Sequence, residues 1–413
     1  MSDIAFPTLA DFFREALRPE PQAASQAAGR LIQQLRQPGA CPWIEPDGRH
    51  VVLVFDASNT ALPDLRGEPA VLLTTSHLQW ATRKDKGCLP LIEVPGTRLH
   101  VRRLPLPGAA RILYKFLVAD RLFEVEDPKA RNGLYSQVRI TDRLVIDPLN
   151  PHRSFNGHGP HSVVAMPGFR EPDILVHRPP LEAIPESRRP SFSLAHPLGK
   201  PREIRVYLPP DVPAGQPLPL ALVHDGNVYG NRLCSIESTL EHLIKAGRIP
   251  PLMAVLVPHG DRELELRTHD AHAQWLMNEV MPEVRRRWGV APGPVHGNIG
   301  VSYGALFSWW LSGLHPDTFG WAVCHAGAFS GPAMRSLVER TLSGELRYPG
   351  RYFLDCGTFD EHLPHVQMLH AALENLGIEH HFELYDEGHE WTAWVARDAD
   401  ALPYVLDGPD ERG

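Results

Sequence analysis

The chain has 413 residues, of which 43% are hydrophobic and 22% charged, and its formal net charge at pH 7 is −8. This length suggests two domains with ordinary hydrophobic cores. The acidic balance argues against a nucleic-acid-binding surface and against an anionic-membrane-binding surface. We find no apolar run of about 18 residues and no signal-peptide pattern, so the sequence predicts a cytoplasmic protein without membrane contact. The five cysteines form no CxxC pair, so neither a zinc site nor a disulfide framework is expected.

The pattern of apolar residues in the N-terminal part of the chain changes near residue 40. Leu9, Phe12 and Phe13 fall at helical spacing, which predicts a helical segment over residues 1–40. Short apolar runs between turn residues then recur, as in HVVLVFD and RILYKFLVAD. This pattern predicts an all-β, immunoglobulin-like (early-set) sandwich domain over residues 41–166.

The C-terminal half alternates strands and helices. Residues 167–200 are rich in proline, which disfavours helices and central strands, and we interpret them as a linker that also begins the second domain. From residue 201 to 413, apolar strand candidates such as PLALVHDG and RYFLDCG alternate with amphipathic helical stretches. Such alternation predicts an α/β domain with a mostly parallel sheet.

The most informative motif is Gly300-Val301-Ser302-Tyr303-Gly304, which has the form G-x-S-x-G. In α/β-hydrolases this pattern marks a sharp strand-to-helix turn, on which a serine projects its hydroxyl as a nucleophile. The flanking glycines let helix and strand approach closely. Ser302 is therefore the predicted nucleophile, and residues 201–413 are predicted to form an α/β-hydrolase catalytic domain.

The base and the acid of a serine triad should follow later strands, in the order serine, acid, histidine. His389, in EGHEW, comes after the apolar strand HFELYD and is the predicted general base. Asp360, three residues beyond Gly357, is the preferred acid, with Glu361 and Asp355 as alternatives.

An oxyanion hole in this fold uses the backbone N–H after the nucleophile and a second N–H from an early strand-to-helix loop. The loop His224-Asp225-Gly226-Asn227 follows an apolar strand. The predicted donors are therefore the N–H groups of Tyr303 and Asn227.

These residues resemble a known family. The C-terminal half is similar to a family of esterases that includes esterase D-like enzymes, and the chain from about residue 45 resembles the enterochelin (ferric enterobactin) esterases. The resemblance is carried by the stretch 147–167, by the HDGN loop, by Arg262-Glu263-Leu264-Glu265-Leu266, and by GVSYG and EGHEW. One departure is the strand before Ser302, PVHGNIG, which is more polar than is usual in the family.

The resemblance implies hydrolysis of ester bonds in a catechol siderophore, with release of its iron. Ferric catecholates are anionic, which favours substrate binding by Arg262 and Arg267. Glu265, in the same segment, is the third substrate-binding residue that the resemblance implies. The expected partner is a small-molecule ester such as a ferric siderophore, and neither a cofactor nor a metal is expected. A general or carbohydrate (acetyl or feruloyl) esterase of the same fold is the alternative.

Two other classes of protein compete with the esterase prediction. Paired histidines, such as His269 with His272 and His362 with His365, raise the question of a metal enzyme, but they lack the third ligand of an H-E-x-x-H type motif. A non-catalytic ligand-binding protein with a hydrolase fold is the other rival. The presence of Ser302, Asp360 and His389 together argues against it.

Overall fold

The computed structural model describes residues 5–58, 69–75, 88–120, 144–156, 159–213 and 215–406. The chain forms two compact units. The first comprises Met1–Arg170, Phe359–Glu361 and Asp386–Gly388, and the second comprises Glu171–Thr358, His362–Tyr385 and His389–Gly413. In the stretch 147–167 noted above, Gly157 and His158 lie outside the described residues.

Two helices begin the first unit, α1 (Leu9–Ala16) and α2 (Ala23–Leu35). Helix α1 starts with a reciprocal cap, in which the hydroxyl of Thr8 accepts the N–H of Asp11 and the carboxylate of Asp11 accepts the N–H of Thr8. Such a cap satisfies donors that have no partner inside the helix. The apolar faces of both helices join one core cluster with strand residues, so the helices cover a sheet.

The strands of the first unit form two antiparallel sheets, with orders β1-β2-β6-β5 and β4-β3-β7-β10-β9, and β8 pairs with β7. The strands are β1 (Trp43–Ile44), β2 (His50–Asp56), β3 (Pro69–Thr75), β4 (Cys88–Pro90), β5 (Ile92–Glu93), β6 (Leu99–Pro105), β7 (Arg111–Asp120), β8 (Leu144–Val145), β9 (Arg153–Asn156) and β10 (Gly159–Ala165). This two-sheet arrangement agrees with the predicted β-sandwich.

Strand β2 is apolar on both faces, and the packing explains why. Val51, Leu53 and Phe55 contribute to a core that includes residues of both sheets. Val52 and Val54 point the other way, because successive side chains alternate across a strand, and they pack against α1 and α2. Both faces of β2 are therefore buried, which explains why HVVLVFD does not alternate apolar and polar residues as a strand with one solvent-exposed face does.

Two short segments from the C-terminal half group with the first unit. Phe359 belongs to the core shared by the two sheets. The guanidinium of Arg111, at the start of β7, donates from Nε to Glu387 at 2.5 Å, and both side chains are buried. The N–H of Arg111 also donates to the carbonyl of Asp386 at 3.0 Å.

The proline-rich segment 167–200 contains helix α3 (Asp173–His177), the 3₁₀ turns Leu181–Ala183 and Glu186–Arg188, and strand β11 (Ser191–His196). Strand β11 pairs antiparallel with β12 (Gly199–Tyr207), so this part of the segment belongs to the sheet of the second unit.

The second unit is built on an eight-stranded sheet of order β11-β12-β14-β13-β15-β16-β17-β18, parallel from β14 to β18. Its remaining strands are β13 (Leu220–Val223), β14 (Met253–Leu256), β15 (His296–Val301), β16 (Phe319–His325), β17 (Arg351–Gly357) and β18 (His380–Tyr385). Its further α-helices are α4 (Gly226–Tyr229), α5 (Ile236–Lys245), α6 (Arg262–Leu266), α7 (Asp270–Trp275), α8 (Met281–Arg287), α9 (Tyr303–Leu314), α10 (Gly331–Leu342), α11 (Leu363–Leu376) and α12 (Trp391–Leu406), with a π-helical turn at Leu276–Val280. The predicted mostly parallel α/β sheet is confirmed.

In the described part of the chain, no helix combines the length and the apolar character needed to cross a membrane.

The polar character of the strand before Ser302 has a packing explanation. Asn298 is completely buried in β15, where its Oδ1 lies 3.1 Å from His224 Nε2 and its Nδ2 donates to Ser312 Oγ at 2.9 Å. Burial lowers the pKa of His224 to about 4, so its imidazole is neutral near pH 7. At Gly297, any Cβ would lie about 2.0 Å from the ring of Trp321, so only glycine fits beside that indole.

Candidate active site

Ser302 occupies a strained turn between β15 and α9. Its backbone has φ 56° and ψ −116°, a region that residues with a Cβ rarely adopt. Two hydrogen bonds hold it, because the N–H of Ser302 donates to the carbonyl of His325 at 2.9 Å and the Ser302 carbonyl accepts the N–H of Ala328 at 3.0 Å. The turn therefore has the geometry expected for the predicted nucleophile elbow.

Both glycines of the pentapeptide lie where an added side chain would meet a close contact. A Cβ at Gly300 would lie 2.2 Å from the carbonyl oxygen of Gly304, so helix and strand can approach only without a side chain there. A Cβ at Gly304 would lie 3.0 Å from Oδ2 of Asp225, in the loop that precedes Asn227. The G-x-S-x-G spacing thus follows from the packing around Ser302.

The predicted oxyanion donors lie at the beginnings of two helices. Tyr303 is the first residue of α9, and Asn227 is the second residue of α4, which follows β13. The first N–H groups of a helix have no acceptor within the helix and are available to a ligand. The side chain of Asn227 is exposed, and its Nδ2 lies 3.1 Å from His259 Nε2.

Arg262 joins the two chain segments that carry these donors. Its Nε donates to Asp225 Oδ1 at 2.6 Å and its Nη2 to Asp225 Oδ2 at 2.7 Å, a bidentate ion pair. The same Nη2 donates to the carbonyl of Val301 at 3.2 Å. The Asp225 side chain is completely buried, whereas that of Arg262 is 30% exposed.

Glu265, the third residue predicted to bind substrate, is more deeply buried than Arg262 and Arg267. It is completely buried and accepts a hydrogen bond from Arg202 Nη2 at 2.6 Å. Its carboxylate also accepts the N–H groups of Gly260 and Asp261. Glu265 therefore fixes the loop that leads into α6.

Arg267 is the more exposed of the two predicted arginines, with 53% of its side chain accessible. Its Nη2 donates to the hydroxyl of Tyr303 at 2.5 Å, and its guanidinium lies 4.7 Å from the centre of the Tyr303 ring. It also pairs with Glu263 at 2.7 Å. Arg267 and Arg262 line an open cavity of about 1170 Å³.

A buried ionic cluster beneath the elbow carries no signal in the sequence. His325 ends β16, and its imidazole lies 2.7 Å from Asp355 and 3.0 Å from Asp398. All three side chains are completely buried. Burial lowers the pKa of His325, but the two carboxylates outweigh this effect and raise it to about 10, so the imidazole is protonated at neutral pH.

The predicted acid and base follow the last two strands. Asp360 comes three residues after the end of β17 and is completely buried, whereas Glu361 is partly exposed. His389 comes after β18, and its ring packs edge-on against Trp394, with 4.7 Å between ring centres. The third candidate acid, Asp355, is paired with His325.

Two groups of described side chains have the composition of a metal site, and the one in the second unit is buried. Ligand atoms of His196, Glu265 and His272 lie within 4.8 Å of one another, and all three residues are buried. His196 Nε2 lies 2.9 Å from His272 Nδ1, within hydrogen-bond distance. The guanidinium of Arg202 already provides Glu265 with a positive partner. We therefore interpret the group as a structural network.

The order of the eight strands and the strained serine after β15 define the class of the second unit. It has the α/β-hydrolase fold, in which a nucleophile elbow sits at the carboxyl end of a central parallel strand. The family model described as "Putative esterase" matches residues 195–405, and the chain belongs to that family. The expected membership in a family of carboxylic ester hydrolases is thereby confirmed.

Individual relatives agree with this family. The iron(III) salmochelin esterase of Escherichia coli O6:H1 (strain CFT073) is 26% identical over 234 residues, which are 48% of this chain and 52% of the relative. The chain thus spans about half the length of the curated relative that it matches.

Solved structures match along more of the chain. The ferric enterobactin esterase of Salmonella typhimurium is 19% identical, with a TM-score of 0.70 over 87% of this chain and 94% of the other. The enterobactin esterase of Shigella flexneri, solved in the presence of enterobactin, is 20% identical, with a TM-score of 0.68 over 86% and 92%. At these identities the structural matches establish the fold. Together with the family match, they confirm the resemblance to enterochelin esterases noted in the sequence.

Proposed function

We propose that this protein is a serine esterase that hydrolyses the ester bonds of a catechol siderophore of the enterobactin type and so promotes release of its iron. The observation that carries the esterase chemistry is the strained Ser302 (φ 56°) between β15 and α9. Such a turn exposes the hydroxyl beside the N–H groups at the start of a helix, which is the arrangement that acyl transfer needs.

In the proposed first step, Ser302 Oγ attacks the ester carbonyl while His389 accepts the hydroxyl proton. The negative charge that develops on the carbonyl oxygen is stabilised by the N–H groups of Tyr303 and Asn227. When the tetrahedral intermediate collapses, the bond to the alcohol breaks and His389 returns the proton to the leaving alkoxide. The products are the free alcohol and an acyl-Ser302 ester.

In the second step, water attacks the acyl-enzyme and gives up a proton to His389, and Ser302 leaves with that proton as the hydroxyl. The acid product dissociates, and no net electron transfer occurs in either step. We assign to Asp360 the role of orienting His389 and stabilising its imidazolium. The pairing of Asp355 with His325 supports this assignment, since that carboxylate already has a cationic partner.

The substrate class is inferred from the relatives and from charge. The relatives named above are described as esterases of salmochelin and enterobactin. Arg267 offers an exposed guanidinium beside Tyr303, the residue that follows the nucleophile. A cation at this position would attract an anionic ferric catecholate. We propose a cytoplasmic location, where imported siderophore would be processed.

The test is hydrolysis of ferric enterobactin, iron-free enterobactin and p-nitrophenyl butyrate by the wild type, by Ser302→Ala and by Ser308→Ala. Ser308 is the matched control, because it lies in the same helix and its buried hydroxyl has no partner among the described residues. We expect Ser302→Ala to lower kcat by about 10⁶-fold and Ser308→Ala to leave it unchanged.

Activity on the three substrates distinguishes a siderophore esterase from a general or carbohydrate esterase and from a non-catalytic binding protein. Cleavage of the nitrophenyl ester without cleavage of enterobactin would refute the siderophore assignment and leave a general or carbohydrate esterase. If the wild type cleaves no ester and Ser302 does not react with a fluorophosphonate, the esterase proposal itself is wrong, and a non-catalytic ligand-binding role becomes the better hypothesis.

A further inference from the structure

We infer that Arg262 is a positioning residue, which fixes the separation of the two oxyanion-hole donors through its hydrogen bonds to Asp225 and to the Val301 carbonyl. It does not bind the substrate anion. This inference rests on the proposed function, because it assigns a role within the same site. It revises the substrate-binding role that the family resemblance implies for Arg262.

The first argument is the place of the two acceptors along the chain. Asp225 lies two residues before Asn227, and Val301 lies two residues before Tyr303. One guanidinium therefore bonds to both segments at the same distance in sequence from the two proposed N–H donors. A displacement of Arg262 would change the separation of the segments, and thereby the separation of the donors.

The second argument is that the backbone around Asp225 has an unfavourable conformation. Asp225 has φ 57°, in the left-handed region that is unfavourable for a residue with a Cβ. Gly226 follows against the backbone of β14, where a Cβ would lie 2.5 Å from the Leu256 carbonyl carbon. An unfavourable conformation persists only when surrounding contacts hold it, and the bidentate pair with Arg262 is such a contact.

The third argument is that the charge of Arg262 is already neutralised. Nε and Nη2 are both bonded to the buried carboxylate of Asp225, at 2.6 Å and 2.7 Å. His259 Nε2 also lies near that carboxylate, 3.5 Å from Asp225 Oδ1. A substrate anion would have to compete with the buried Asp225 for the guanidinium of Arg262. Arg267 also pairs with a carboxylate, that of Glu263, but both of those side chains are largely exposed, so solvent screens that pair and it competes less.

The backbone that carries Arg262 is also held in place by hydrogen bonds. Arg262 is the first residue of α6, which is capped by Asp261, whose Oδ1 accepts the N–H of Leu264 at 3.1 Å. The buried carboxylate of Glu265 holds the N–H groups of Gly260 and Asp261 and pairs with Arg202. Glu265 therefore supports the same loop, and its carboxylate is completely buried.

The two roles predict different kinetics. An oxyanion hole stabilises charge that exists only in the transition state, so misplaced donors lower kcat and leave KM nearly unchanged. A residue that binds the substrate anion contributes to ground-state binding, and its loss raises KM for anionic substrates only. A neutral ester such as p-nitrophenyl butyrate distinguishes the two.

We therefore propose to measure kcat and KM of Arg262→Gln, Arg262→Lys and Asp225→Asn, and of the double variant Arg262→Gln/Asp225→Asn, on p-nitrophenyl butyrate and on ferric enterobactin. The matched control is Arg286→Gln on α8, an exposed arginine that also pairs with a carboxylate, that of Glu283. We expect Arg262→Gln to lower kcat about 100-fold on both substrates, with KM changed less than about 3-fold. Asp225→Asn should have a similar effect, and the double variant should be no worse than either single variant.

Two results would overturn the inference. One is an unchanged kcat on the neutral ester with a raised KM for the ferric siderophore, which would make Arg262 a substrate-binding residue. The other is a loss of activity that adds up in the double variant and follows a fall in Tm, which would make the pair merely structural. If Arg262→Gln does not fold, Asp225→Asn and Arg262→Lys provide the same comparison.

Failure of the proposed function is recognised separately. It would appear in the wild type, as an absence of both ester hydrolysis and fluorophosphonate labelling of Ser302. The positioning role of Arg262 would then fall with it. An active wild type with an unaffected Arg262→Gln variant would refute the positioning role alone.

Discussion

The carbonyl oxygen of His325 accepts a hydrogen bond from the N–H of Ser302 at 2.9 Å, which ties the strained turn to the neighbouring strand β16. The imidazole of the same residue lies between the carboxylates of Asp355 and Asp398. One residue thus connects the backbone of the proposed nucleophile with a buried ionic cluster.

We expect His325→Gln to destabilise the second unit by about 3–5 kcal/mol, since removal of the cation leaves Asp355 and Asp398 buried without their positive partner. Urea unfolding at pH 6, followed by circular dichroism, measures this difference. Asp317→Asn is a suitable control, because its carboxylate is 91% exposed. A loss no larger than that of the control would contradict the importance of the cluster.

The stabilisation by His325 should depend on pH. Its folded pKa, about 10, exceeds the ordinary value of about 6.5, so the folded state binds an additional proton between these values. The contribution is complete below about pH 6.5 and is lost as the pH rises through 10. The difference in free energy of unfolding between wild type and His325→Gln should therefore shrink from pH 6 to pH 10. A difference that grows with pH would show that the imidazole is not protonated in the folded protein.

Ser302→Gly should be more stable than the wild type by about 1 kcal/mol, because glycine adopts a positive φ without the strain that serine suffers at 56°. Ser302→Ala keeps a Cβ and should gain nothing. Both variants should lose ester hydrolysis. Thermal unfolding of the three proteins tests the point, and equal Tm values for the glycine and alanine variants would mean that the turn is not strained.

Gly300→Ala should damage the site even though the change is small. The new Cβ would lie 2.2 Å from the Gly304 carbonyl oxygen, so the start of α9 must move. We expect a destabilisation of about 1–3 kcal/mol and a loss of kcat greater than about 10-fold. Gly29→Ala in α2 is the control, because a Cβ there meets open space, and it should be neutral or slightly stabilising. A fully active Gly300→Ala enzyme would contradict the packing argument.

If Asp360 has the proposed role, Asp360→Asn should lower kcat by about 10⁴-fold, because an amide would neither stabilise the imidazolium of His389 nor fix its tautomer. The neighbouring Glu361→Gln should keep kcat within a few-fold of the wild type. Steady-state kinetics on p-nitrophenyl butyrate compares the two. If Glu361→Gln shows the large loss instead, the acid of the triad is Glu361.

Local patterns allowed much of the fold to be predicted. Strand–helix alternation after residue 201 and the short strands before 166 reflect periodicities of side-chain burial, which the sequence carries directly. The elbow at Ser302 was predictable because the close approach of Gly300 to the Gly304 carbonyl, within one pentapeptide, excludes a side chain at residue 300. Within 167–200, the strand Ser191–His196 could not be located from the sequence, because its alternating apolar residues Phe192 and Leu194 are a weak signal beside so many prolines.

Other features depend on the tertiary structure, because they join residues that the chain separates widely. Arg262 meets Asp225 across 37 residues, and His325 meets Asp355 across 30 and Asp398 across 73. Arg262 and Asp225 follow β14 and β13, which are neighbours in the sheet, and His325 and Asp355 lie on the neighbouring strands β16 and β17. Asp398 reaches His325 from helix α12, which packs against β16. Nothing in the local sequence around a charged residue specifies its partner. The sequence by itself therefore determined the fold class and the proposed nucleophile. Only the three-dimensional packing decided which charges are paired and buried, since that depends on which strands and helices become neighbours.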